Sequence, residues 1–197
     1  MEETKKLFCG LHLKKNTEFG CEGDCLDDDL CEYIDFTTHN YELQGITYLD
    51  DTKDDTETIG KCRTLEIRVM NFTDDDIKCL ADNYDEHFIN AVEILLDNVD
   101  LMEKEYVSLY YVDELEIKEE YRGMGYGKLL MNAIIRDLGS AIGIMVLKAY
   151  PFTREGSREE KNKYTDSHVD DLDRFYTELG FTRLEDTEFM YRGTFSY

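Results

Sequence analysis

The sequence predicts one mixed α+β domain, and three patterns in its 197 residues lead to that fold class. Arg63–Val69 alternates polar and apolar residues, as a half-buried antiparallel strand does. From Ile77 to Leu96 the apolar residues recur about every 3.6 positions, the period of an amphipathic helix. Ala141–Ala149 is almost wholly apolar, which favours a central strand covered on both faces.

The N-terminal part of the chain is predicted to add a small extension and a first group of strands. Residues 1–31 are rich in Gly, Asp and Cys and have weak periodicity, so we expect loops with at most one short strand. The main domain then spans residues 32–197. Strand-like runs follow at Tyr33–Phe36 and Tyr41–Leu49, and the acidic stretch 50–57 is expected to be an exposed turn.

Helical signals begin at Thr73, a residue type that caps helices, followed by three aspartates that favour the positive end of a helix dipole. The periodic segment behind it fits one long helix or two short ones. Val107–Ile117 is then predicted as a strand. Gly127–Leu138 is predicted as an amphipathic helix that ends at Gly139.

The C-terminal elements are separated by glycine, proline and charged residues. Pro151 closes the central strand, and residues 153–167 form a charged loop. Asp170–Leu179 is predicted as a helix capped by Gly180. Two short strands finish the chain, Phe181–Arg183 and Glu188–Thr194.

The chain is strongly acidic, with 45 acidic side chains, 22 basic ones and a formal charge of −23. Such a charge repels phosphates, so we expect no nucleic-acid partner and consider a cationic partner instead. No apolar stretch approaches the roughly 20 residues that a membrane span needs. The first residues lack the apolar region of a signal peptide, so a cytoplasmic protein is expected.

All six cysteines lie in the first 79 residues, and in a cytoplasmic chain free thiols are expected. A zinc site built from Cys21, Cys25 and Cys31, with Cys9 and His12 upstream, is the less favoured alternative. The spacing lacks the tidy Cys-x-x-Cys pairs of such sites, so no metal is expected.

The most informative segment is Arg-Gly-Met-Gly-Tyr-Gly at 122–127, which joins the strand to the helix. Glycines let the backbone approach a ligand, and the helix start behind them offers unpaired N–H donors, so the segment fits a diphosphate seat. A tight turn that binds nothing is the alternative. A P-loop is excluded because Leu129 follows Lys128, and the glycine spacing is not that of a dinucleotide fingerprint.

This segment resembles the acetyl-CoA motif of the GNAT superfamily of N-acyltransferases, Arg/Gln-x-x-Gly-x-Gly/Ala, at Arg122, Gly125 and Gly127. A second segment, Arg174–Phe181, is similar to the family's Phe-Tyr-x-x-Leu-Gly-Phe. The resemblance covers about residues 107–194. It implies a mostly antiparallel twisted sheet with a splayed strand pair, and an N-acetyltransferase that uses acetyl-CoA as co-substrate.

The resemblance also implies roles for residues around the motif. The pantetheine arm would pair with the backbone of Leu115 and Ile117. Lys128 would either add charge to the diphosphate site or face solvent as an ordinary helix residue. The complete set of cofactor-binding candidates is Leu115, Ile117, Arg122, Gly123, Met124, Gly125, Tyr126, Gly127 and Lys128.

Acyl transfer to an amine needs a base for the amine and a proton for the leaving thiolate. Tyr176 matches the family tyrosine that donates this proton, with a core aromatic as the alternative. Asp113, Glu114 and Glu116 are the candidate bases, of which Glu114 is chosen first and Asp113 second. Strand alternation predicts Asp113 on one face and both glutamates on the other.

The acceptor is expected to be a small-molecule amine or a protein amino group, attacked directly without an acyl-enzyme. The alternative function is a non-catalytic acyl-CoA-binding or protein-interaction module on the same scaffold. A homodimer is left open.

Overall fold

The computed structural model describes residues 8, 10–19, 36–50, 53–69, 72–82, 84, 86–101, 107–139, 142–149, 166–184 and 187–194. The strands are β1 (Gly10–Phe19), β2 (Phe36–Asp50), β3 (Lys53–Arg68), β4 (Ser108–Ile117), β5 (Gly143–Lys148), β6 (Thr182–Arg183) and β7 (Phe189–Gly193). The α-helices in these ranges are α1 (Asp74–Asp82), α2 (Glu86–Asn98), α3 (Tyr126–Leu138) and α4 (Asp166–Glu178).

The strands form a single sheet in the order β1-β2-β3-β4-β5-β7-β6. Among the pairings described, only β4 with β5 is parallel, and all the others are antiparallel. The parallel pair is connected through α3, the crossover that parallel neighbours require. The predicted mixed fold with a mostly antiparallel sheet is therefore confirmed.

The N-terminal segment contributes more regular structure than its composition indicates. β1 is ten residues long and pairs with β2 along its whole length, from Gly10 opposite Ile46 to Phe19 opposite Thr37. It is thus an edge strand of the main sheet. The proposed boundary between residues 31 and 32 lies outside the described residues, as do Tyr33–Asp35.

Residues 53–57 of the acidic stretch 50–57 form a strand, so the expectation of a turn is wrong for them, and residues 51–52 lie outside the described residues. β2 and β3 form one long hairpin, in which Asp55 pairs with Thr47 and Glu57 with Gly45. Threonines alternate with acidic residues here, so the carboxylates project from a ribbon that β-branched residues stabilise. Charge density alone does not separate such a ribbon from a loop.

The two faces of the sheet carry separate apolar cores, which we call the α1–α2 face and the α3–α4 face. On the α1–α2 face, strand residues such as Leu65 and Tyr111 pack against Phe88 of α2. On the α3–α4 face, strand residues such as Tyr110 pack with Ile134 of α3. The central strands are buried on both sides, which explains the continuous apolar run of β5.

The helices at Asp74 and Tyr126 begin within a residue of the predicted positions, whereas α4 begins at Asp166, four residues before the predicted start and within the predicted loop 153–167. The Thr73 hydroxyl accepts a hydrogen bond from the Asp76 N–H at 3.3 Å, and the Asp76 carboxylate accepts one from the Thr73 N–H at 2.8 Å. This reciprocal capping stabilises the start of α1. The periodic segment forms two helices rather than one. No helix in the described ranges is long and apolar enough to cross a membrane.

A chain of polar side chains crosses four strands on the α3–α4 face. His39 on β2 contacts the Thr17 hydroxyl on β1 at 3.3 Å and the Glu66 carboxylate on β3 at 2.9 Å. Glu66 also accepts a hydrogen bond from the Ser108 hydroxyl on β4 at 2.7 Å. Burial raises the pKa of Glu66, but these hydrogen bonds outweigh it, and the pKa lies below its usual value. This polar ladder joins the edge strand to the middle of the sheet.

Candidate active site

The candidate site lies where β4 separates from β5. The parallel pairing runs from Ser108 opposite Gly143 to Val112 opposite Leu147 and ends there. β4 continues to Ile117 while paired with β3 alone in the described sheet. β5 meanwhile stays paired with β7, and the Ala149 N–H extends that pairing by donating to the Glu188 carbonyl at 2.7 Å. The sheet therefore opens between the two strands, as the splayed pair requires.

Leu115 and Ile117 border this opening. Their side chains pack against the core of the α3–α4 face. Their backbone on the β5 side has no strand partner among the described residues, and apart from the Ile117 carbonyl, which accepts a hydrogen bond from Arg122, it is available to an extended ligand. The end of β4 thus has one edge in the sheet and one edge free.

The glycine turn follows directly and leaves an open cradle. Gly123 and Gly125 have φ values of 72° and 83°, which L side chains rarely adopt. A Cβ added at either glycine would meet no heavy atom within 4 Å. The space above this backbone is therefore free for a ligand.

The start of α3 faces the same space with unpaired donors. Gly125 is the N-cap and supplies no side-chain cap. The first hydrogen bond into the helix is from the Leu129 N–H to the Gly125 carbonyl, at 3.1 Å. The amides of residues 123–128 donate no hydrogen bond within the described part of the chain. Together with the helix dipole, they form a site suited to an anion.

Gly127 connects three elements of the site. A Cβ here would lie 3.5 Å from the Phe175 ring of α4 and 3.7 Å from the Ile117 side chain. The start of α3, the middle of α4 and the end of β4 therefore meet at this glycine. Tyr126 lies half-buried and edge-on to Tyr121, with ring centroids 6.1 Å apart.

The two cations of the glycine turn already have partners. Arg122 Nε donates to the Ile117 carbonyl at 2.9 Å and so ties the turn to the end of β4. Lys128 Nζ lies 3.1 Å from the Glu178 carboxylate on α4, and both side chains are exposed. Met124 is exposed and makes no such connection in the described residues.

Tyr176 reaches the site from α4 and is only 7% exposed. Its ring packs edge-on against Phe175 and Phe181 at centroid distances of 5.0 and 5.8 Å. Its hydroxyl makes no hydrogen bond with the described residues. Burial, with a smaller contribution from the nearby Cys62, raises the pKa of Tyr176 far above its usual value, so the phenol is protonated.

The candidate bases sit on a β-bulge that changes which way they face. Thr64 of β3 lies opposite Val112 and Arg63 lies opposite Glu114, so Asp113 is an extra residue on β4. Asp113 pairs with Arg63, which alternates with Leu65 and therefore projects from the α1–α2 face.

Glu114 and Glu116 project from that face too, because Leu115 and Ile117 pack on the other one. The expectation that Asp113 and the glutamates occupy opposite faces is wrong, since a bulge shifts strand alternation by one residue. The carboxylates thus approach the opening from one side of the sheet, and Tyr176 approaches it from the other.

Arg63 and Cys62 are residues of this region that the sequence reasoning missed. Cys62 is a buried free thiol opposite Leu115, and burial raises its pKa well above the usual range. Arg63 was visible only as one polar position of an alternating strand. The register between β3 and β4 brings both residues to the site, and no local pattern encodes that register.

The cysteines and the other remaining candidate residues form no second site within the described ranges. No group of three metal-binding side chains occurs in the described ranges. Cys62 and Cys79 are free thiols, as expected, whereas Cys9, Cys21, Cys25 and Cys31 of the alternative zinc site lie outside the described residues. Pro151 and most of the loop 153–167 are outside them too.

Comparison with known proteins gives a family for this architecture. The model of the family described as "Acetyltransferase (GNAT) family" matches residues 40–181. No match was found among curated proteins.

Several solved structures are similar over nearly the whole chain. The KacTA–DNA complex is 13% identical, with 93% of this chain and 94% of that chain covered and a TM-score of 0.44. A mutant of the AtaT toxin, bound to acetyl-CoA and the C-terminus of the antitoxin AtaR, is 12% identical, with 94% of each chain covered and a TM-score of 0.43. AtaT complexed with acetyl-methionyl-tRNA is 11% identical, with 92% and 95% covered and a TM-score of 0.37.

These structures correct one expectation drawn from composition. The net charge of −23 predicts that nucleic acid is not a partner, yet the similar structures include a complex with DNA and a complex with acetyl-methionyl-tRNA. Net charge sums over a whole surface, whereas contacts are local and distant charges are screened beyond about 10 Å in salt. The exclusion of nucleic acid is therefore wrong.

Proposed function

This chain belongs to the GNAT acetyltransferase family, and we propose that it transfers the acetyl group of acetyl-CoA to a primary amine. Membership of the family makes it an acyltransferase. The observation that carries the proposal is the open glycine turn beside the end of β4, at the point where β4 leaves β5. The turn offers amides to an anion, and the free strand edge beside it offers backbone partners to an extended arm.

Acetyl-CoA fits this arrangement by its chemistry. Its diphosphate would receive the amides of residues 123–128 and the dipole of α3. Its pantetheine amides would pair with the free backbone edge at Leu115 and Ile117, as an added strand does. The thioester would then lie in the gap near the bulge, where a backbone N–H of β4 can polarise its carbonyl.

The proposed reaction is direct attack of the amine on the thioester carbon. Glu114 accepts a proton from the acceptor ammonium, directly or through a water molecule, and Asp113 is the second candidate for that role. The amine nitrogen forms a bond to the carbonyl carbon, and the C–S bond breaks. Tyr176 then gives its proton to the departing thiolate. The nitrogen loses its second proton, which restores the Tyr176 phenol through water, and the proton held by the carboxylate is released to solvent. The acetylated amine and CoA are the products.

The acceptor is proposed to be a small-molecule amine or an amino group of a protein. Since nucleic acid is no longer excluded, an amino group carried on an aminoacyl-tRNA belongs in the same test. One of the similar structures is that of AtaT complexed with acetyl-methionyl-tRNA, an aminoacyl-tRNA that carries an acetyl group. The cytoplasmic location remains a prediction.

A pair of glycine substitutions tests the cofactor seat. Gly125→Ala and Gly180→Ala each place a side chain at a positive φ, of 83° and 84°, so each should cost about 1–2 kcal/mol of stability. Only Gly125→Ala puts a methyl group into the open cradle. We expect calorimetry to show acetyl-CoA affinity about 10-fold weaker for Gly125→Ala, and unchanged for Gly180→Ala. Equal affinity in both variants would contradict the seat.

An acceptor panel tests the transfer itself. Wild-type protein with acetyl-CoA is offered polyamines, amino acids, basic proteins and aminoacyl-tRNA, and thiol release and product mass are measured. Thiol release that depends on one acceptor, with a gain of one acetyl group on it, supports the enzyme. Acetyl-CoA binding without any acetylated product across the panel would favour the alternative of a non-catalytic binding module.

A further inference from the structure

The β-bulge in β4 is held by a cross-strand ion pair. Two guanidinium nitrogens of Arg63, on β3, contact the same carboxylate oxygen of Asp113, the extra residue of the bulge. The Asp113 side chain is only 12% exposed, whereas that of Arg63 is 44% exposed. A carboxylate so enclosed needs a fixed cation, and Arg63 supplies it.

Glu114, the next residue, has the opposite situation. It lies directly across from Arg63 in the strand register and is half-buried. Its carboxylate makes no hydrogen bond with the described residues and interacts with Arg63 through charge alone. Two adjacent acidic groups thus share one face of β4, one of them committed to Arg63 and the other available.

The position of this ion pair separates it from an ordinary surface contact. A pair between neighbouring strands on an exposed sheet face contributes little to stability. Here the pair fixes the one residue of β4 that is out of register, immediately after the last β4–β5 pairing at Val112. Any shift of Asp113 therefore moves the backbone that borders the opening and redirects Glu114.

We propose that Arg63 is a positioning residue for acetyl transfer, because its grip on Asp113 sets the bulge and leaves Glu114 as the carboxylate that meets the acceptor amine. The proposal rests on the proposed function. In this proposal Asp113 is bound to Arg63 and does not accept the proton of the acceptor amine. It also makes the side chain on β3 responsible for the geometry of the reacting backbone on β4.

Kinetics of Arg63 variants test the proposal. Arg63→Ala should lower kcat/KM for the acceptor by about 10- to 100-fold, through kcat and acceptor KM, because misplaced reacting groups cost rates of that order. Its affinity for acetyl-CoA should stay within about two-fold of wild type, since the glycine turn follows Ile117, which pairs with Gly60, three residues along β3 from Arg63. Millimolar guanidinium should restore about 10-fold of the lost rate in Arg63→Ala, because it replaces the missing fork. Lys15→Met, which breaks an ion pair of 2.7 Å between β1 and Asp137 of α3, is the matched control and should keep full activity.

Asp113→Asn separates positioning from direct base catalysis. If Asp113 acts only through the bulge, Asp113→Asn and the double variant Arg63→Ala/Asp113→Asn should lose no more rate than Arg63→Ala. A much larger loss in Asp113→Asn than in Arg63→Ala would make Asp113 the base and overturn the proposal. So would an Arg63→Ala enzyme that keeps kcat/KM within about two-fold, or one whose loss is not rescued by guanidinium.

A measurement that needs no acceptor distinguishes failure of the role of Arg63 from failure of the proposed function. The infrared carbonyl stretch of bound acetyl-CoA, labelled with carbon-13 at the carbonyl, should shift to lower frequency in wild type and lose that shift in Arg63→Ala. Wild-type protein that binds no acetyl-CoA would overturn the proposed function and this inference with it. If wild type and Arg63→Ala both bind acetyl-CoA and show the same carbonyl frequency, the inference fails and the proposed function stands.

Discussion

Tyr176→Phe should slow catalysis without lowering stability, because the Tyr176 hydroxyl makes no hydrogen bond that would stabilise the described fold. The ring sits among apolar side chains, and the hydroxyl has no hydrogen bond with the described residues. The hydroxyl oxygen is also not one of the fully buried polar atoms that lack a partner in the described residues, so it carries little desolvation cost. Removing it should therefore change the free energy of unfolding by less than about 1 kcal/mol and the melting temperature by less than about 4 °C.

The catalytic effect of the same change should be large. Loss of a general acid lowers rates by about 10²- to 10⁴-fold, which corresponds to about 3–5 kcal/mol of activation free energy. Burial raises the pKa of Tyr176, which makes it a weak acid in isolation. The thiolate expelled into the same surroundings is destabilised by burial too, so proton transfer between them stays feasible.

Three measurements check this prediction. Thiol release gives kcat, calorimetry gives acetyl-CoA affinity, and urea unfolding gives stability. Tyr41→Phe is the matched control, because its hydroxyl donates to Asp137 at 2.8 Å in the same core. It should lose about 1.5–3 kcal/mol of stability and keep its kcat. A Tyr176→Phe enzyme with kcat within about three-fold of wild type would refute the general-acid role and leave Tyr176 as a core aromatic.

Two further predictions follow from charged groups. Glu178→Gln should free Lys128 for the diphosphate and so tighten acetyl-CoA binding. The gain should be at most about five-fold in calorimetry at low salt, because an exposed ion pair contributes about 0–1 kcal/mol. Unchanged or weaker binding would contradict this prediction. Glu66→Gln should lower stability by about 1–2 kcal/mol at pH 7, because Glu66 loses its charge-assisted hydrogen bond with His39. The folded-state pKa of Glu66 is lowered, so this stability deficit should be present above the unfolded-state pKa of about 4.3 and vanish as pH falls through the folded-state pKa. If urea unfolding at acid pH still shows the deficit, the charge of Glu66 is not its source.

The sequence was sufficient for elements whose signals are local. The Thr73 cap, the helix behind the glycine turn and the apolar run of β5 are each encoded within a few residues, and each is found where expected. The two motifs at 122–127 and 174–181 likewise lie within single elements and led to the family.

Features that depend on register between strands could not be predicted. The bulge at Asp113 exists only because β3 and β4 pair with unequal numbers of residues, and neither strand shows this by itself. The long β2–β3 hairpin was missed for a related reason, since its acidic ribbon has the composition of a loop. The partner expectation failed because net charge describes a whole chain and not the surface that meets a ligand.

One inserted residue makes the difference between a plain mixed sheet and a sheet with a cleft. Removing Asp113 would leave Val112 followed by Glu114, so the alternation of faces would become regular and Leu115 and Ile117 would still point into the same core. The β4–β5 ladder would then be free to continue by a pair, closing about 3.3 Å of the gap. A deletion variant of this kind should fold as well as the parent and melt in the same range, while having no place for a thioester. Deleting a single codon should thus separate the fold from the proposed function.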